Sequence, residues 1–323
     1  MFRIAYLISN FLLITSVWAH TETIRYISFC SNRTGNFDIY TIDTNGENLQ
    51  NITNGRTNEA AASWSPDGRF FAYHSDSDPN KNVDIYVMDI EEKKIRQLTT
   101  HPGDDAMAAW SPDGQWIAFC SNRSGAYEIY KMDVRGKHLQ RLTRHQGNNT
   151  SPSWSPDSQW IVFHSIWRNE KGHREAFLYI MGANGENLRQ FIKVAGGGAS
   201  WSPDGNLILF STTRDDKDGE DTFDLFVISP DGQERRQLTQ EPKWELEPTW
   251  SPNGQWITFA GREPRQNKTS AIYIMNTADG ELRQLTDELS MNWAPAWMPV
   301  RSALPVQPNA SLLTILWGKL KQK

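Results

Sequence analysis

Three kinds of short stretch alternate along this chain, each bounded by turn-forming residues. The strongest is apolar at consecutive positions, which is typical of a strand buried on both faces; it recurs at 70–74, 116–120, 160–164, 207–211 and 256–260. A second, often with an aromatic residue near its middle, recurs at 38–42, 84–88, 128–132, 178–181, 224–228 and 271–275. A third is more polar and suits an outer sheet edge; it recurs at 95–99, 139–143, 236–239 and 282–286. All three patterns predict β-strands.

A Trp-Ser-Pro-Asp-Gly motif precedes the strongest stretches. Pro presets φ near about −65° in the turn, Asp tolerates the following position and Gly closes the turn. The motif tryptophan is a large apolar side chain at the end of a short strand. Successive copies lie 44 to 49 residues apart, at Trp64, Trp110, Trp154, Trp201 and Trp250, with a degenerate copy at Trp297. A period of this length, filled with strands, predicts a β-propeller.

The strand order at the two ends predicts how the propeller closes. The first predicted strand, 23–30, has no tryptophan strand before it, and the last tryptophan strand, 294–298, has no partners after it. Pairing the two completes one blade from both termini and removes exposed edges. The sequence therefore predicts an all-β fold, a six-bladed β-propeller over residues 20–299, closed by strands from both termini.

Residues 1–19 and 300–323 lie outside the predicted propeller. Arg3, a mostly apolar stretch at 4–17 and small residues before His20 predict a secretory signal peptide; the alternative is a short anchor helix that stays attached. Residues 300–323 form a proline-containing linker and an apolar, then basic, tail. This tail either docks on the propeller, touches a membrane or serves as a sorting tag, and it is too short to span a bilayer.

Net charge changes little when the signal is removed. It moves from 33 − 38 = −5 to 32 − 38 = −6, because one Arg and no acid are lost. A mildly acidic protein is a poor candidate for binding nucleic acid without sequence preference. We expect a bacterial periplasmic or secreted monomer, with no nucleic-acid partner and no integral membrane segment after signal cleavage.

The repeats resemble those of the TolB-like β-propeller family, which carries WD40-like Trp-Ser-Pro-Asp-Gly repeats. The resemblance covers about residues 22–299 and also rests on Phe-x-Ser strand ends such as Phe29-Cys30-Ser31 and on strands such as Ile85-Tyr86-Val87-Met88-Asp89. It implies an exported protein that docks proteins or a ligand on a propeller face. TolB proper has an additional α/β domain ahead of its propeller, whereas here the predicted signal leads directly into the first blade.

Variable loops on a rigid ring are where binding residues usually lie. Strand direction places the Pro-Asp and Asn-Gly turns on one face and the longer, variable loops on the other, which we call the long-loop face. Five of six blades offer an arginine near one position after the strongest, doubly buried strand, and the other blade has Asp76 and Asp78 there. The arginines either form a basic ring that holds a carboxylate or an acidic peptide, or brace their own blades; they are Arg33, Arg123, Arg168, Arg214 and Arg262.

Three tryptophans are candidate partner anchors on the same face. Trp167 lies in the largest predicted loop, 166–176, beside Arg168. Trp244 and Trp293 are assigned to loops that follow the polar edge strands. Exposed Trp beside Arg is typical of an interface anchor. Each could equally pack on its own loop.

Other candidate chemistry is weaker. Asp215–Asp221 is acidic but lacks the closing ligand of a calcium loop, which favours a solvated charge run. His74 and His164 occupy equivalent strand positions, as do Cys30 and Cys120. We expect both pairs to be structural, the cysteines as buried free thiols, with no cofactor and no metal.

No catalytic motif of a hydrolase, metalloprotease or nucleotide-binding enzyme is present. The sequence therefore predicts a non-enzymatic exported scaffold that docks a protein or peptide of the cell envelope on its long-loop face. The alternatives are a secreted propeller lyase or hydrolase acting on a saccharide or peptide, and a propeller that binds a small ligand or metal.

Overall fold

The computed structural model describes residues 25–77, 82–144, 147–213, 222–240, 243–263 and 269–299. The predicted signal peptide, the C-terminal tail, Asp78, Arg214 and the acidic run Asp215–Asp221 lie outside these residues. Within them, the first twelve strands are β1 Tyr26–Ser31, β2 Asp38–Asp43, β3 Gln50–Asn51, β4 Glu59–Trp64, β5 Phe70–Ser75, β6 Asp84–Asp89, β7 Ile95–Gln97, β8 Asp105–Trp110, β9 Trp116–Ser121, β10 Glu128–Asp133, β11 Gln140–Arg141 and β12 Asn148–Trp154. The following twelve are β13 Trp160–Arg168, β14 Arg174–Gly182, β15 Arg189–Val194, β16 Ala199–Trp201, β17 Ile208–Thr213, β18 Phe223–Ile228, β19 Arg235–Gln237, β20 Trp244–Trp250, β21 Trp256–Arg262, β22 Ala271–Asn276, β23 Leu282–Gln284 and β24 Asn292–Trp297.

The strands form antiparallel four-stranded meanders arranged as a propeller. Four meanders are separate sheets, made of β24 with β1–β3, β4–β7, β8–β11 and β12–β15. The meanders β16–β19 and β20–β23 join in one eight-stranded sheet through a single parallel pairing of Phe223 with Trp244. The described strands thus form five sheets where the sequence predicted six separate blades. At this junction the Phe223 and Trp244 rings pack edge to face, with centroids 5.5 Å apart.

The chain closes on itself through its first and last strands. β24 pairs antiparallel with β1, with Ile27 opposite Trp297 and Ser28 opposite Ala296. The Ser28 hydroxyl also donates a hydrogen bond to the Ala296 carbonyl at 3.2 Å. The predicted closure by strands from both termini is therefore confirmed.

Aromatic side chains fill the contacts between meanders. Each second strand carries a phenylalanine whose side chain is fully buried or nearly so, and most of these rings stack on an aromatic ring of the adjacent third strand. Burying one such side chain contributes about 1.5–3 kcal/mol. The set repeats once per meander, at Phe29, Phe71, Phe119, Phe163, Phe210 and Phe259.

Hydrogen bonds explain the polar residues of the repeated turn. The Ser65 hydroxyl donates to the Asp67 carboxylate at 2.6 Å and accepts from the Phe70 amide at 2.9 Å. Asp67 also accepts from the Arg69 amide, and Gly68 has φ 67°. The same serine contacts recur at Ser111, Ser155, Ser202 and Ser251.

The chain breaks from regular strand geometry three residues before every motif tryptophan, within the innermost strand in five meanders and just before β16 in the other. The residue there has a left-handed backbone, with φ between 49° and 83°. The pairing register shifts at this point in five of the six meanders, which is the signature of a β-bulge. We call these the bulge residues; they are Ala61, Met107, Ser151, Gly198, Glu247 and Ala294.

In the described part of the chain, no helix has the length and apolar character needed to cross a membrane.

Candidate binding site in the central channel

The innermost strands of all six meanders surround one central cavity. Its volume is about 210 Å³, and it is lined by the bulge residues and their neighbours on β4, β8, β12, β16, β20 and β24. Each of these strands pairs on one side with its second strand, and for all but β20 its other edge has no strand partner among the described residues. Free strand edges present backbone N–H and C=O groups that can pair with an added chain. The channel therefore offers main-chain hydrogen-bonding groups to a ligand.

Side chains from the preceding meander hold several of the bulges. The Ala61 amide donates to the Cys30 sulfur at 3.1 Å, and the Met107 amide donates to Nδ1 of His74 at 3.3 Å. Cys120 stands in the equivalent position and bonds the backbone of Ser151. The equivalence of these cysteines and His74 in the sequence is thus explained by one shared task, which is to satisfy a bulge amide.

Burial keeps these side chains uncharged. Desolvation raises the pKa of Cys30 and of Cys120 to about 12, and it lowers the pKa of His74 and of His164 to about 4. Both cysteines are free and buried, as the sequence predicted. Neutral imidazoles and protonated thiols at neutral pH suit a structural task.

The last bulge is satisfied differently. Ala260 stands where the other meanders have Cys, His or Ser, so it offers no side-chain acceptor. The Ala294 amide instead donates to the carboxylate of Glu247, at 2.6 Å. Burial raises the pKa of Glu247 above its ordinary value. Glu247 is the one charged bulge residue, and sequence reasoning missed it; aligning the six positions three residues before each motif tryptophan would have shown it.

A second cavity, of about 530 Å³, widens the channel toward the long-loop face, and we call it the mouth. It shares Met107, Ser151, Gly198 and Glu247 with the central cavity. It forms because β16 is only three residues long and is preceded by Gly196–Gly198. A Cβ atom built on Gly197 would meet no atom within 4 Å, so the space beside this backbone is open.

The mouth is lined by side chains of both charges. Arg174 is exposed and has no ion-pair partner among the described residues, while Lys193 pairs with Glu175 at 3.0 Å. His164 is buried, and its Nε2 atom has no hydrogen-bond partner within the described part of the chain. An unpaired cation, an unpartnered ring nitrogen and the Glu247 carboxylate give the mouth groups that can both accept and donate hydrogen bonds.

Two predicted ring arginines brace their own meanders. Arg123 forms an ion pair with the fully buried Asp105 at 2.6 Å, and Arg33 donates to the Asn292 side-chain oxygen at 3.1 Å. Each guanidinium also lies over a tyrosine ring, with distances to the centroid of 5.1 Å and 4.9 Å. Their donors are thus already engaged inside the propeller.

The meander β4–β7 lacks this brace. Ser77 stands where Arg33 and Arg123 stand in their meanders, and Glu59 stands where Asp105 does. One carboxylate oxygen of Glu59 is buried without a partner among the described residues, and burial raises the pKa of Glu59 to about 7. Glu59 accepts a hydrogen bond from the Thr57 hydroxyl at 2.5 Å, which satisfies one carboxylate oxygen and leaves the other without a partner among the described residues.

The other two described arginines do not extend the ring. Arg168 is exposed at the end of β13 and donates to the Gly172 carbonyl at 3.0 Å, within its own hairpin. Arg262 stacks over the Trp244 ring, with its guanidinium carbon 4.4 Å from the centroid. Arg214 lies outside the described residues. The described arginines therefore make different contacts and form no continuous basic ring.

The predicted loop positions of the tryptophans are wrong, although the residues do lie toward the long-loop face. Residues 166–176 are not a loop, because β13 and β14 extend through them and leave only a short turn. Trp167 lies in β13 and packs on Phe177, with centroids 6.2 Å apart. Trp244 opens β20, and Trp293 lies in β24, where it lines the central cavity and contacts Phe37 edge-on at 6.0 Å.

Among the described residues, no three His, Cys, Asp or Glu side chains come close enough together to hold a metal ion.

Comparison with known proteins agrees with the architecture. Residues 77–218 match the family model described as the TolB beta propeller domain. No curated protein matches the sequence.

Several solved structures share the fold. TolB from Acinetobacter baumannii superimposes with a TM-score of 0.71 at 23% identity, over 85% of this chain and 67% of that one. Putative TolB from Agrobacterium tumefaciens gives 0.65 at 17% identity, over 86% and 99%. An oligogalacturonate lyase in complex with manganese gives 0.53 at 15% identity, over 82% and 73%.

Proposed function

Because this chain is a TolB-like β-propeller, we propose that it is a non-enzymatic exported scaffold that docks a protein or peptide partner at the mouth of its channel on the long-loop face. The observation that carries the proposal is the mouth itself. It connects the long-loop face to a channel whose walls are mostly unpaired strand edges in the described part of the chain.

Backbone recognition suits an extended peptide segment. A segment entering the channel meets free strand edges and can form main-chain hydrogen bonds, while side chains at the mouth select its sequence. Gly197 allows a partner backbone to approach closely, since it has no side chain and the space beside it is open. Trp293 supplies an aromatic surface on the channel wall.

Charge at the mouth supports a partner with polar or charged side chains. Arg174 is available for a carboxylate, and Glu247 is available for a cation, whereas Glu175 is already paired with Lys193. Arg33 and Arg123 are left out of the proposed contact set, because their donors already bind Asn292 and Asp105. The contact set is Trp167, Arg168, Arg174, Lys193, Gly197 and Trp293.

Export to the cell envelope is part of the proposal. It rests on the predicted signal at residues 1–19. A tagged chain is expected in the periplasmic or secreted fraction with residues 1–19 removed. Retention of the whole chain in the cytoplasm would contradict export without affecting the binding proposal.

The binding proposal is tested by capture from an envelope extract, followed by a direct titration of the identified partner. The mouth variant Arg174→Glu/Lys193→Glu changes two exposed side chains and is expected to lose the partner. Its control, Arg135→Glu/Lys137→Glu, makes the same charge change at exposed positions of a hairpin turn on the opposite face. Retrieval of the same partner with equal affinity by both variants would contradict docking at the mouth.

A steric variant tests the mouth without changing charge. Gly197→Leu is expected to weaken partner binding at least about tenfold and leave the unfolding midpoint unchanged, because the new side chain enters open space. Unchanged binding would remove the mouth from the proposal. Conversion of oligogalacturonate or another saccharide by the wild-type protein with Mn²⁺ would instead favour the lyase alternative.

A further inference from the structure

The opposite end of the channel is an apolar cavity that the proposed function does not use. It has a volume of about 430 Å³ and lies among the Ser-Pro-Asp turns. All six repeats contribute a tryptophan and a proline to its wall. We call it the tryptophan bowl; its aromatic and proline lining is Trp64, Trp110, Trp154, Trp201, Trp250 and Trp297 with Pro66, Pro112, Pro156, Pro203, Pro252 and Pro299.

Much of this apolar surface is open to solvent. Trp110, Trp201 and Trp250 are only half-buried, and four of the six prolines are exposed. A contiguous apolar surface rimmed by polar residues is typical of an interaction site. The exposed prolines and half-buried tryptophans are not covered by the core of the propeller. The bowl therefore suits a ligand with apolar side chains.

The rim of the bowl is acidic. The aspartate after each motif proline is exposed in four repeats, at Asp67, Asp113, Asp157 and Asp204. The Ser202 hydroxyl donates to Asp204 and lowers the pKa of that carboxyl. The same serine contact is made in the other three repeats. An occupant that is apolar in one part and basic in another fits this arrangement.

The chain itself carries such a segment. The described structure ends at Pro299, which is one of the prolines of the bowl. Residues 300–323 follow, and within them Leu312–Trp317 is largely apolar and Gly318–Lys323 contains three lysines. Residues 300–311 are twelve residues long and reach about 40 Å when extended, so the distance to the bowl imposes no restriction.

We propose that the C-terminal segment Leu312–Lys323 docks in the tryptophan bowl of its own chain. Its apolar side chains cover the tryptophans and prolines, and its lysines lie against the aspartate rim. A short tether of this kind gives an effective concentration in about the millimolar range, so even a weakly binding segment occupies the bowl.

The test uses hydrogen exchange on the full-length chain. Leu313→Asp/Leu316→Asp is compared with Ala303→Asp/Gln307→Asp, which adds the same charge within the linker. The first variant is expected to exchange at least about tenfold faster at the motif turns 110–114, 201–205 and 250–254, with no change at the mouth. The linker variant is expected to match the wild type.

Addition in trans identifies the occupant. A synthetic peptide of residues 309–323 is expected to restore protection at the motif turns of the Leu313→Asp/Leu316→Asp protein, and a scrambled peptide is not. Equal exchange at these turns in wild type and variant would overturn the proposal. So would protection that appears only in a dimer, which would identify a second copy as the source of the tail. Protection that appears only with anionic vesicles would assign the tail to a membrane surface and would also overturn it.

Discussion

At the scale of single residues, the structure separates side chains that brace a meander from those free to bind. In three meanders the inner strand begins five residues before the motif tryptophan, at Glu59, Asp105 and Asn292. In two of the three, an arginine at the end of the adjoining strand holds that residue. The partner is the carboxylate Asp105 in one case and the amide Asn292 in the other. Where Ser77 replaces the arginine, Glu59 is left buried with an oxygen that no described residue contacts by a hydrogen bond.

The two braces predict different losses of stability. Arg123→Met should lower the free energy of unfolding by about 3 kcal/mol, since it leaves Asp105 as an unpaired buried charge. Arg33→Met should cost only about 1 kcal/mol, because it leaves a neutral amide. Urea denaturation measures both, and Arg168→Met is the control that should change little. Equal and negligible effects for all three would favour the predicted binding ring over the brace.

Glu59 predicts a pH dependence confined to one window. The pKa of Glu59 is raised to about 7 in the folded protein, against about 4.5 when unfolded, so the folded state holds the proton more tightly. The contribution of Glu59 to the free energy of unfolding is therefore fully present below about pH 4.5 and is lost as pH rises to 7. The loss is at most about 3 kcal/mol.

Denaturation of Glu59→Gln and the wild type across pH 4–8 tests this window. The variant should gain stability relative to the wild type as pH rises from 4.5 to 7. Ser77→Arg, which installs the missing brace, should move the window to lower pH. A stability difference between Glu59→Gln and wild type that does not vary with pH would show that Glu59 titrates normally.

At the scale of secondary-structure elements, the bulge in each innermost strand is the feature that shapes the channel. In four of the six meanders the bulge amide is satisfied by a side chain of an adjacent element. Cys30 and His74 do so by direct hydrogen bonds from the preceding meander. Glu247 does so across the channel wall for Ala294, because Ala260 cannot.

This substitution of one acceptor for another predicts a rescue. Glu247→Ala should destabilise the protein by about 1–2 kcal/mol, since the Ala294 amide loses its acceptor. Adding Ala260→Cys should recover most of that loss, because Cys30 and Cys120 already act as acceptors in the equivalent position. Thermal unfolding measures the three proteins. A double variant no more stable than Glu247→Ala would show that the acceptors are not interchangeable.

The sequence predicted the strands, the repeat and the joining of the termini, because each depends on local pattern and period. It did not predict the bulges, since Ala61, Met107 and Ser151 have no side-chain feature that requires a left-handed backbone. Nor did it place Trp293 on the channel wall. That position follows from how neighbouring meanders meet around the ring, which a linear pattern does not contain. The mouth depends on Gly196–Gly198, and no local sequence pattern reveals the open space beside Gly197.

At the scale of the whole molecule, the mouth and the tryptophan bowl both depend on the ring being closed. β24 and β1 come from opposite ends of the described chain, and their pairing completes the wall that holds Trp293 in the channel. An open array would have neither a mouth on one face nor a bowl on the other. Closure therefore underlies both proposals.

The most direct test is a cross-link between the paired strands. Ser28→Cys/Ala296→Cys places two thiols at opposed positions 268 residues apart in sequence, within the Cα separation that a disulfide accepts. Under mild oxidation we predict an intramolecular disulfide between the two introduced thiols in nearly all molecules, found by peptide mapping. It should stabilise the protein by up to about 5 kcal/mol. Failure to form this bond, or its formation only between separate chains, would contradict the closed ring.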